Sequence, residues 1–343
     1  SKNSQENPEI MGRLSNMEKK LTVFTPAYNR AHTLGNSYKA LCNQTCKDFI
    51  WMIVDDGSTD STSELVDEWK KEGIVDIIYI YQRNAGKQRA VNTGIKNCTT
   101  PYFGFLDSDD YFEPYALELL ITIQKKYDVD IVSTKGVITY SHDIYSKKLM
   151  DEDYLTVKIL TNKEFLAAAY YNDEMTVSAW GKLYKRDLFK TIFPKGKIYE
   201  DLYVVAERLL NIKTVAHTDL PIYHYYQRQG SIVNSTFSDR QYDFFDAIDH
   251  NEAIIKKFYC GDKKLLAALN AKRVIGSFIL SNSAFYSSEN DIAKIRRIIK
   301  PYYWEVIKNK KISMKRKVQC VLFLLSPNYY YKIKDKMLQR GRI

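Results

Sequence analysis

The sequence predicts an α/β fold with a mostly parallel sheet, followed by a helical carboxyl-terminal region. Between residues 21 and 106, short apolar, β-rich runs alternate with segments of helical periodicity. The alternation repeats at spacings of about 25 to 30 residues, which is typical of parallel strands joined by helices. After about residue 235 helical patterns continue without convincing strands.

Each predicted strand is an apolar run that stops at polar residues. The four runs are Leu21–Thr25, Phe49–Val54, Ile74–Tyr81 and Tyr102–Leu106. The second is continuously apolar, which is the pattern of a strand buried on both faces of a sheet. Helices are predicted between them, through Leu34, Tyr38 and Leu41, through Leu65, Val66 and Trp69, and over Ala90–Lys96. Ser58, Thr59 or Asp60 is expected to cap the second helix.

The chain is expected to divide into four parts. Residues 1–16 are interpreted as a disordered arm or an expression remnant, 17–235 as the catalytic domain, 236–307 as a helical region and 308–343 as a basic amphipathic tail. In the helical region, helices are predicted over Phe244–Lys257, Lys264–Phe285 and Asp291–Ile307.

The positive charge of the chain lies in its last 36 residues. The whole chain has 343 residues, 45% of them hydrophobic, and a net charge of +10. That composition excludes a disordered protein. Residues 308–343 contain eleven lysines and arginines and one aspartate, so the preceding 307 residues are neutral overall. A nucleic-acid-binding module that uses the tail is kept as an alternative, although no DNA- or RNA-binding motif occurs.

Cysteines and hydropathy indicate the compartment. The five cysteines are odd in number and lack the paired spacing of a zinc site, which favours a reducing compartment; they are Cys42, Cys46, Cys98, Cys260 and Cys320. Cys42 and Cys46 are expected on one helix. No apolar run reaches the roughly 18 residues of a membrane-spanning helix. We therefore expect a cytoplasmic protein, which would be peripheral on the inner face of the plasma membrane if its basic tail contacts that surface.

An acidic motif follows the fourth predicted strand. Asp107, Asp109 and Asp110 crowd the end of this buried run, and carboxylates so close repel one another unless a cation is present. Hard oxygen ligands suit Mg²⁺ or Mn²⁺, which can also bridge phosphate oxygens. Taken alone, the motif could equally be an acidic loop that caps the next helix.

Polar segments also follow the first three predicted strands. They are Tyr28-Asn29-Arg30, Asp55-Asp56-Gly57-Ser58 and the stretch from Asn84 to Asn92. Parallel sheets bind ligands at the carboxyl ends of their strands. One ligand site at this edge explains the four polar segments better than four independent turns do.

Three of these segments together resemble the family 2 glycosyltransferases with the GT-A fold. They are Thr22–Asn29, Val54–Asp60 and Leu106–Asp110, and the match extends over roughly residues 20–235. The resemblance implies a nucleotide-diphospho-sugar transferase with a Rossmann-like, mostly parallel sheet.

The resemblance implies a donor site at the strand ends. Pro26, Tyr28 and an aspartate of the pair Asp55 and Asp56 would hold the nucleotide base, preferably uridine. Arg30 would contact the nucleotide or its phosphates. Asp107, Ser108 and Asp109 would form the D-x-D motif for donor and Mn²⁺ or Mg²⁺, with Asp109 as the direct ligand and Asp107 nearer the ribose or sugar.

One segment departs from the pattern of many relatives. Val91 stands where they carry an arginine before Asn92, and it is expected to pack inward. Asn84, Lys87 and Arg89 are then the donor-site candidates after the third strand.

The general base is expected further along the chain. Glu200 and Asp201 resemble the family's Glu-Asp motif at the start of a helix, with Asp201 as the base and Glu200 as its neighbour. An aspartate at this position would otherwise be a helix cap.

Two more segments resemble parts of the substrate pockets. Trp180 would shape the acceptor pocket, with a core position as the alternative. Arg228 and Ser231 would contact the donor diphosphate, with an ordinary surface loop as the alternative.

The predicted function is an inverting, metal-dependent transfer of a sugar from a nucleotide-sugar donor, of the UDP type, to a hydroxyl of a glycan or lipid-linked glycan in surface polysaccharide synthesis. The transferred group would be a hexosyl or N-acetylhexosaminyl residue. A metal-dependent nucleotidyltransferase is the alternative enzyme, but the first strand lacks the glycine-rich phosphate loop usual there. The basic tail either contacts an anionic membrane surface or packs its apolar face on the body.

Overall fold

The computed structural model describes residues 19–140, 155–172, 175–226, 237–285 and 289–339. These residues fold as two compact units. The first, here called the sheet unit, comprises the described residues within 19–160, 179–195 and 211–226. The second, the helical unit, comprises the described residues within 161–178, 196–210 and 237–339.

The sheet unit is built on one mixed sheet. The strands of the described residues are β1 (Leu21–Ala27), β2 (Phe49–Asp55), β3 (Ile77–Tyr81), β4 (Tyr102–Phe105), β5 (Tyr111–Phe112), β6 (Ile131–Thr139), β7 (Val157–Thr161), β8 (Lys182–Lys185) and β9 (Thr214–Tyr226). Their order is β3-β2-β1-β4-β8-β6-β9-β5, and β7 also pairs with β9. Strands β3, β2, β1 and β4 run parallel, whereas β8 is antiparallel to both β4 and β6. The predicted α/β class with a mostly parallel sheet is confirmed.

Four helices follow strands of the sheet unit, and eight form the described part of the helical unit. The first four are α1 (Leu34–Cys42), α2 (Thr62–Glu72), α3 (Lys87–Asn97) and α4 (Ala116–Tyr127). The others are α5 (Asn162–Tyr171), α6 (Glu200–Arg208), α7 (Asp243–Phe258), α8 (Lys263–Phe285), α9 (Glu289–Ile299), α10 (Tyr303–Lys308), α11 (Met314–Leu325) and α12 (Pro327–Gln339).

Several element boundaries differ from the prediction. Strand β3 begins at Ile77, and α1 ends at Cys42, so Cys46 does not lie on that helix. The helix predicted over Asp291–Ile307 is divided by a 3₁₀ turn at Lys300–Tyr302, because a proline nitrogen cannot donate to the preceding turn. The residue directly before α2 is Ser61, but the Asp60 carboxylate accepts the first helical N–H, from Thr62, at 3.1 Å.

Strand β2 anchors the core of the sheet unit, as its continuous apolar run predicts. Trp51 is fully buried and its indole stacks on Tyr38 of α1 and Trp69 of α2, with ring centroids 6.1 and 5.8 Å away. Its Nε1 donates to the buried Thr25 hydroxyl at 2.9 Å. Val91 is also buried, as expected. Both faces of β2 are thus covered by packing.

Two glycines in helices of the sheet unit differ in how closely neighbouring residues pack against them. A Cβ on Gly94 of α3 would approach the Phe24 ring to 2.3 Å, whereas a Cβ on Gly35 of α1 meets nothing within 4 Å. Overpacking costs about 1–3 kcal/mol and outweighs the helix-propensity gain of about 1 kcal/mol. We expect Gly94→Ala to lower the free energy of urea-induced unfolding by about 1–2 kcal/mol, and Gly35→Ala to leave it unchanged or raise it. Equal effects of the two substitutions would contradict this packing.

Candidate functional site

The loops that follow β1 and β2 are bonded to each other. The Asn29 backbone N–H donates to the Ser58 hydroxyl, and the Asn29 side-chain carbonyl accepts the Thr59 N–H, both at 2.8 Å. Asn29 has a φ of 52°, a left-handed conformation that asparagine tolerates better than most residues. One residue on, the Arg30 N–H donates to the Thr62 hydroxyl at 3.0 Å. The Tyr28 side chain is left 47% exposed beside this paired loop.

The carboxylate of Asp55 stabilises the loop after β2 by accepting hydrogen bonds. It is fully buried; one carboxylate oxygen accepts the Ser58 N–H at 2.7 Å and the other accepts the Tyr79 hydroxyl at 2.5 Å. Burial and this bond to Asp55 raise the pKa of Tyr79, so the phenol keeps its proton and remains a donor. These hydrogen bonds therefore fix the position of the loop that carries Ser58 at the end of β2.

Asp56 holds the segment that follows β3. Its carboxylate accepts the Gln82 side-chain amide at 2.6 Å and the backbone N–H groups of Ala85 at 3.0 Å and Gly86 at 2.7 Å. Gly57, at a φ of 82°, lies so close that a Cβ would come within 2.8 Å of the Asn84 nitrogen. The two loops are thus in backbone contact, and this contact fixes where α3 begins.

Helix α3 begins with a lysine that meets the acidic motif. Lys87 Nζ lies 3.3 Å from Asp107 Oδ1, and both side chains are partly exposed. The Asp107 backbone N–H donates to the Tyr223 hydroxyl at 3.1 Å. Ser108 is buried and Asp109 is half-buried. The D-x-D motif and Lys87, placed on different strand ends by the sequence, are neighbours in the fold.

The third carboxylate of the acidic motif points inward. Asp110 is fully buried and accepts the Tyr223 hydroxyl at 2.5 Å and the Tyr226 N–H at 2.9 Å. Burial raises its pKa well above the usual range, and the charges of Asp107 and Asp109 raise it further. Asp110 therefore anchors β9 beneath the motif, and the motif presents two carboxylates rather than the three that the sequence crowds together.

Trp180 lies beside the same strand end. It bridges to Phe105, the last residue of β4, and stacks on Tyr223 at 4.7 Å and on Tyr225 at 6.1 Å between ring centroids. The indole is packed directly over Gly136, where a Cβ would lie 2.3 Å from its ring. It remains partly exposed, so it combines a packed position with an aromatic surface next to the acidic motif.

The acidic motif suits a hard divalent cation by its chemistry. Mg²⁺ and its analogues are usually held by one or two carboxylates together with substrate phosphates and water. Asp107 and Asp109 are the two carboxylates of the motif that are not fully buried, whereas Asp110 is engaged internally. No cluster of three or more His, Cys, Asp or Glu side chains suited to a metal occurs among the described residues. The residues therefore fit an ion that arrives with a phosphate ligand, rather than a resident ion in a complete protein cage.

The expected catalytic pair lies in the helical unit. Glu200 and Asp201 are the first two residues of α6, directly after Tyr199, which has the left-handed φ of 60°. Such a conformation is costly for a tyrosine and is retained where surrounding structure imposes it. Asp201 Oδ1 lies 3.6 Å from Nη1 of Arg208, a buried arginine whose Nη2 donates to the Val177 carbonyl at 2.7 Å. Asp201 thus lies within ion-pair distance of a buried cation.

The other expected residues are distributed as follows. Pro26 and Arg30 are half-buried, and Asn84 and Arg89 are exposed. Arg228 and Ser231 lie outside the described residues. The structure therefore brings together the residues expected after β1, β2, β3 and β4 within the sheet unit.

The structure also shows residues that sequence reasoning missed. Tyr79, Gln82 and Tyr223 each donate to a carboxylate of the site, and each belongs to, or directly follows, a strand of the same sheet. His224 of β9 belongs to the sequence segment expected to contact the diphosphate, but it is buried, with its Nε2 2.7 Å from Oε1 of the buried Glu113. The signal in the sequence for these residues was the alternation of aromatic residues along β9. It does not identify the partners of these aromatic residues, which are distant in sequence.

Comparison with known proteins agrees with this geometry. Residues 22–193, half of the chain, match the model of the family described as glycosyl transferase family 2. The chain belongs to glycosyl transferase family 2. The matched span contains the strand-end loops and the acidic motif and ends before α6 begins.

Two curated glycosyltransferases are similar to part of the chain. It is 33% identical over 222 residues to the Streptococcus pneumoniae glycosyltransferase GlyA, an alignment that takes 63% of this chain and 32% of GlyA. It is 26% identical over 223 residues to an uncharacterized Escherichia coli glycosyltransferase, YibD, with 64% of each chain covered. The chain thus spans about a third of the first relative and slightly less than two thirds of the second.

A solved structure extends the likeness to the helical region. S. aureus TarS 1–349 in complex with UDP-GlcNAc superposes with a TM-score of 0.68 at 19% identity, over 94% of this chain and 92% of that one. This likeness confirms the GT-A fold with its helical carboxyl-terminal region. Within the described residues no helix is both long and apolar enough to cross a membrane.

The role of the Tyr223 hydroxyl can be tested by stability. Tyr223→Phe leaves the buried Asp110 without its phenol donor, and we expect the free energy of unfolding to fall by about 1–3 kcal/mol. Tyr225→Phe is the matched control, since Tyr225 stacks on the same Trp180 ring and its hydroxyl forms no hydrogen bond among the described residues. Chemical denaturation of both variants checks this; equal stabilities would contradict the anchoring role of Tyr223.

Proposed function

We propose that this family 2 protein transfers a sugar from a UDP-sugar to a hydroxyl of a glycan or lipid-linked glycan, in the synthesis of a surface polysaccharide. The observation that carries the proposal is the pair of outward carboxylates, Asp107 and Asp109, beside Lys87 at the edge where four parallel strands end. The family and the UDP-GlcNAc complex of TarS support a nucleotide-sugar donor. A nucleotidyltransferase is not favoured, because the family match extends through the motifs that distinguish the two classes.

The nucleotide base is assigned to the paired loops after β1 and β2. Tyr28 offers an exposed aromatic face there, with Pro26 and Arg30 on either side of it in sequence. Asp56 already accepts three donors, and Asp55 accepts two. Since a carboxylate offers about four acceptor sites, either aspartate of the pair keeps acceptor capacity for a base imide N–H. An imide donor is a feature of uracil, which supports UDP.

The diphosphate is assigned to the acidic motif and the start of α3. Asp109 would hold Mn²⁺ or Mg²⁺ and Asp107 the ribose or sugar, with Ser108 between them. When bound, the ion supplies charge that stabilises the departing diphosphate. Lys87 contributes a cation at the same edge; Asn84, in the loop before α3, and Arg89, in α3, are exposed to solvent. Arg228 and Ser231 remain candidates for the phosphates.

The general base is assigned to Asp201, with Glu200 as its neighbour. In an inverting transfer, one carboxylate takes the proton of the acceptor hydroxyl while that oxygen attacks the anomeric carbon from the side opposite the diphosphate. The C–O bond to the diphosphate breaks as the new glycosidic bond forms, and no covalent enzyme intermediate is needed. Arg208 orients Asp201, and Trp180 offers its ring to the apolar face of the acceptor.

The location is proposed to be cytoplasmic and peripheral on the inner face of the plasma membrane. All five cysteines are free thiols, in keeping with a reducing compartment. The net charge of +10 in residues 308–343 supports contact with an anionic surface, where a lipid-linked acceptor would be available.

Donor binding tests the assignment of the acidic motif. We expect UDP-sugars, and not GDP- or CMP-sugars, to raise the melting temperature in the presence of Mn²⁺. Asp109→Asn should weaken this UDP-sugar binding by more than about tenfold, because the direct metal ligand is lost. Asp187→Asn, at an aspartate whose side chain is 83% exposed on the sheet unit, is the control. Undiminished binding by Asp109→Asn, or after chelation of the metal, would contradict the proposal.

Turnover tests the assignment of Asp201. Asp201→Asn should lower kcat by about a hundred- to ten-thousand-fold, the usual contribution of a general base, with the affinity for UDP unchanged. Glu207→Gln on the same helix, whose carboxylate is 44% exposed, should retain kcat. Near-normal transfer by Asp201→Asn would exclude it as the base.

A further inference from the structure

We infer that helix α11 binds the surface of an anionic membrane through an exposed apolar stripe, Met314, Val318 and Leu325, which lysines border on both sides. The inference deepens the proposed peripheral location. It rests on the helical unit alone and does not depend on the transfer chemistry.

Helix α11 is apolar on two faces, and one of them is covered by the protein. Cys320 and Phe323 are buried, and the Phe323 ring packs edge-on against Phe278 of α8 and Tyr330 of α12, at 5.4 and 5.7 Å between centroids. The adjoining helix α12 is held by a hydrogen bond of 2.6 Å between the hydroxyls of Tyr331 and Ser281. The tail thus packs one apolar face on the body, as one of the two sequence interpretations expects.

The second apolar face of α11 is open. Met314 is 71% exposed, Val318 50% and Leu325 77%. At 100° per residue these three side chains fall within a sector of about 40°, on the side opposite Phe323. Packing on α8 and α12 therefore does not account for them. Contiguous exposed apolar side chains of this kind mark an interaction surface.

Basic residues border the stripe at positions where a positive charge does not stabilise the helix. Lys315 and Lys317 project about 80° to either side of the centre of the stripe. They lie with Arg316 in the first turns of α11, at the positive end of the helix dipole, where a cation is unfavourable. Arg316 bonds Gln319 at 3.0 Å, and no ion pair of these three cations with a carboxylate is recorded in the described part of the chain.

The positive charge of the tail indicates which kind of partner the apolar stripe binds. An amphipathic helix with apolar residues on one face and flanking lysines lies in a membrane interface, where anionic head groups bind the lysines. Residues 308–343 carry eleven cations and one aspartate. A second copy of the chain would present the same positive surface to this one, so symmetric pairing through the stripe would bring like charges together. Anionic lipid is the partner that satisfies both the apolar stripe and its lysines.

Vesicle flotation of the full chain tests the inference. We expect binding to vesicles of phosphatidylglycerol and phosphatidylcholine in equal parts, and little binding to phosphatidylcholine alone. Lys315→Gln with Lys317→Gln should weaken binding roughly 25-fold, since each lysine near such a surface contributes about fivefold. Val318→Gln with Leu325→Gln should weaken it by more than about tenfold.

Matched controls come from the sheet unit. Lys70→Gln with Lys71→Gln removes the same charge from the exposed end of α2, and Ile74→Gln with Ile192→Gln removes exposed apolar side chains. Both control variants should bind vesicles like the wild type. All α11 variants should keep the wild-type circular dichroism and the wild-type rate of UDP-sugar hydrolysis.

Three results would overturn the inference. They are wild-type flotation of both α11 variants, equal binding to neutral and anionic vesicles, and a change of oligomeric state in the Val318 and Leu325 variant without any vesicle binding by the wild type. The last would identify the stripe as a subunit contact. Because donor hydrolysis is measured separately, loss of the membrane surface and failure of the proposed transferase activity are distinguishable.

Discussion

The candidate site depends on buried carboxylates at the ends of parallel strands that accept hydrogen bonds from neighbouring loops. Asp56 accepts two backbone N–H groups after β3, and Asp110 accepts a tyrosine hydroxyl and a backbone N–H from β9. A buried carboxylate is costly unless such donors satisfy it, so each bond also fixes the loop that supplies the donor. Lys87 and Asp107 therefore meet at 3.3 Å without a direct connection in sequence.

The buried carboxylate of the acidic motif positions its two partly exposed neighbours. The motif from Asp107 to Asp110 has one acidic side chain held in the core and two near solvent. Because Asp110 is engaged with Tyr223, the backbone that carries its two neighbours is held in place, and these are the carboxylates assigned by proposal to a cation that a diphosphate brings. In the helical unit Asp201 is similarly oriented, by the buried Arg208. In both units a buried partner positions the group assigned to chemistry.

Local sequence signals predict the strands and the site edge because both are encoded by contiguous residues. The apolar run of β2 and the polar residues after it mark Asp55 and Asp56 directly. The partners of these carboxylates, such as Tyr79 for Asp55 and Tyr223 for Asp110, are contributed by other strands and cannot be read from the local sequence. Likewise, the positive charge of residues 308–343 can be counted directly in the sequence. The split of α11 into a buried and an open apolar face is visible only once α8 and α12 are in place.

The most direct test of the central claim is an experimental structure of the chain with UDP and Mn²⁺. We expect uracil against Tyr28 and the loop after β2, and the metal ion in contact with Asp109 at about 2.0–2.2 Å. The carboxylates of Asp56 and Asp110 should keep their present donors. A nucleotide bound away from the ends of β1, β2 and β4, or a metal ion held by Asp110 after release of Tyr223, would contradict this account.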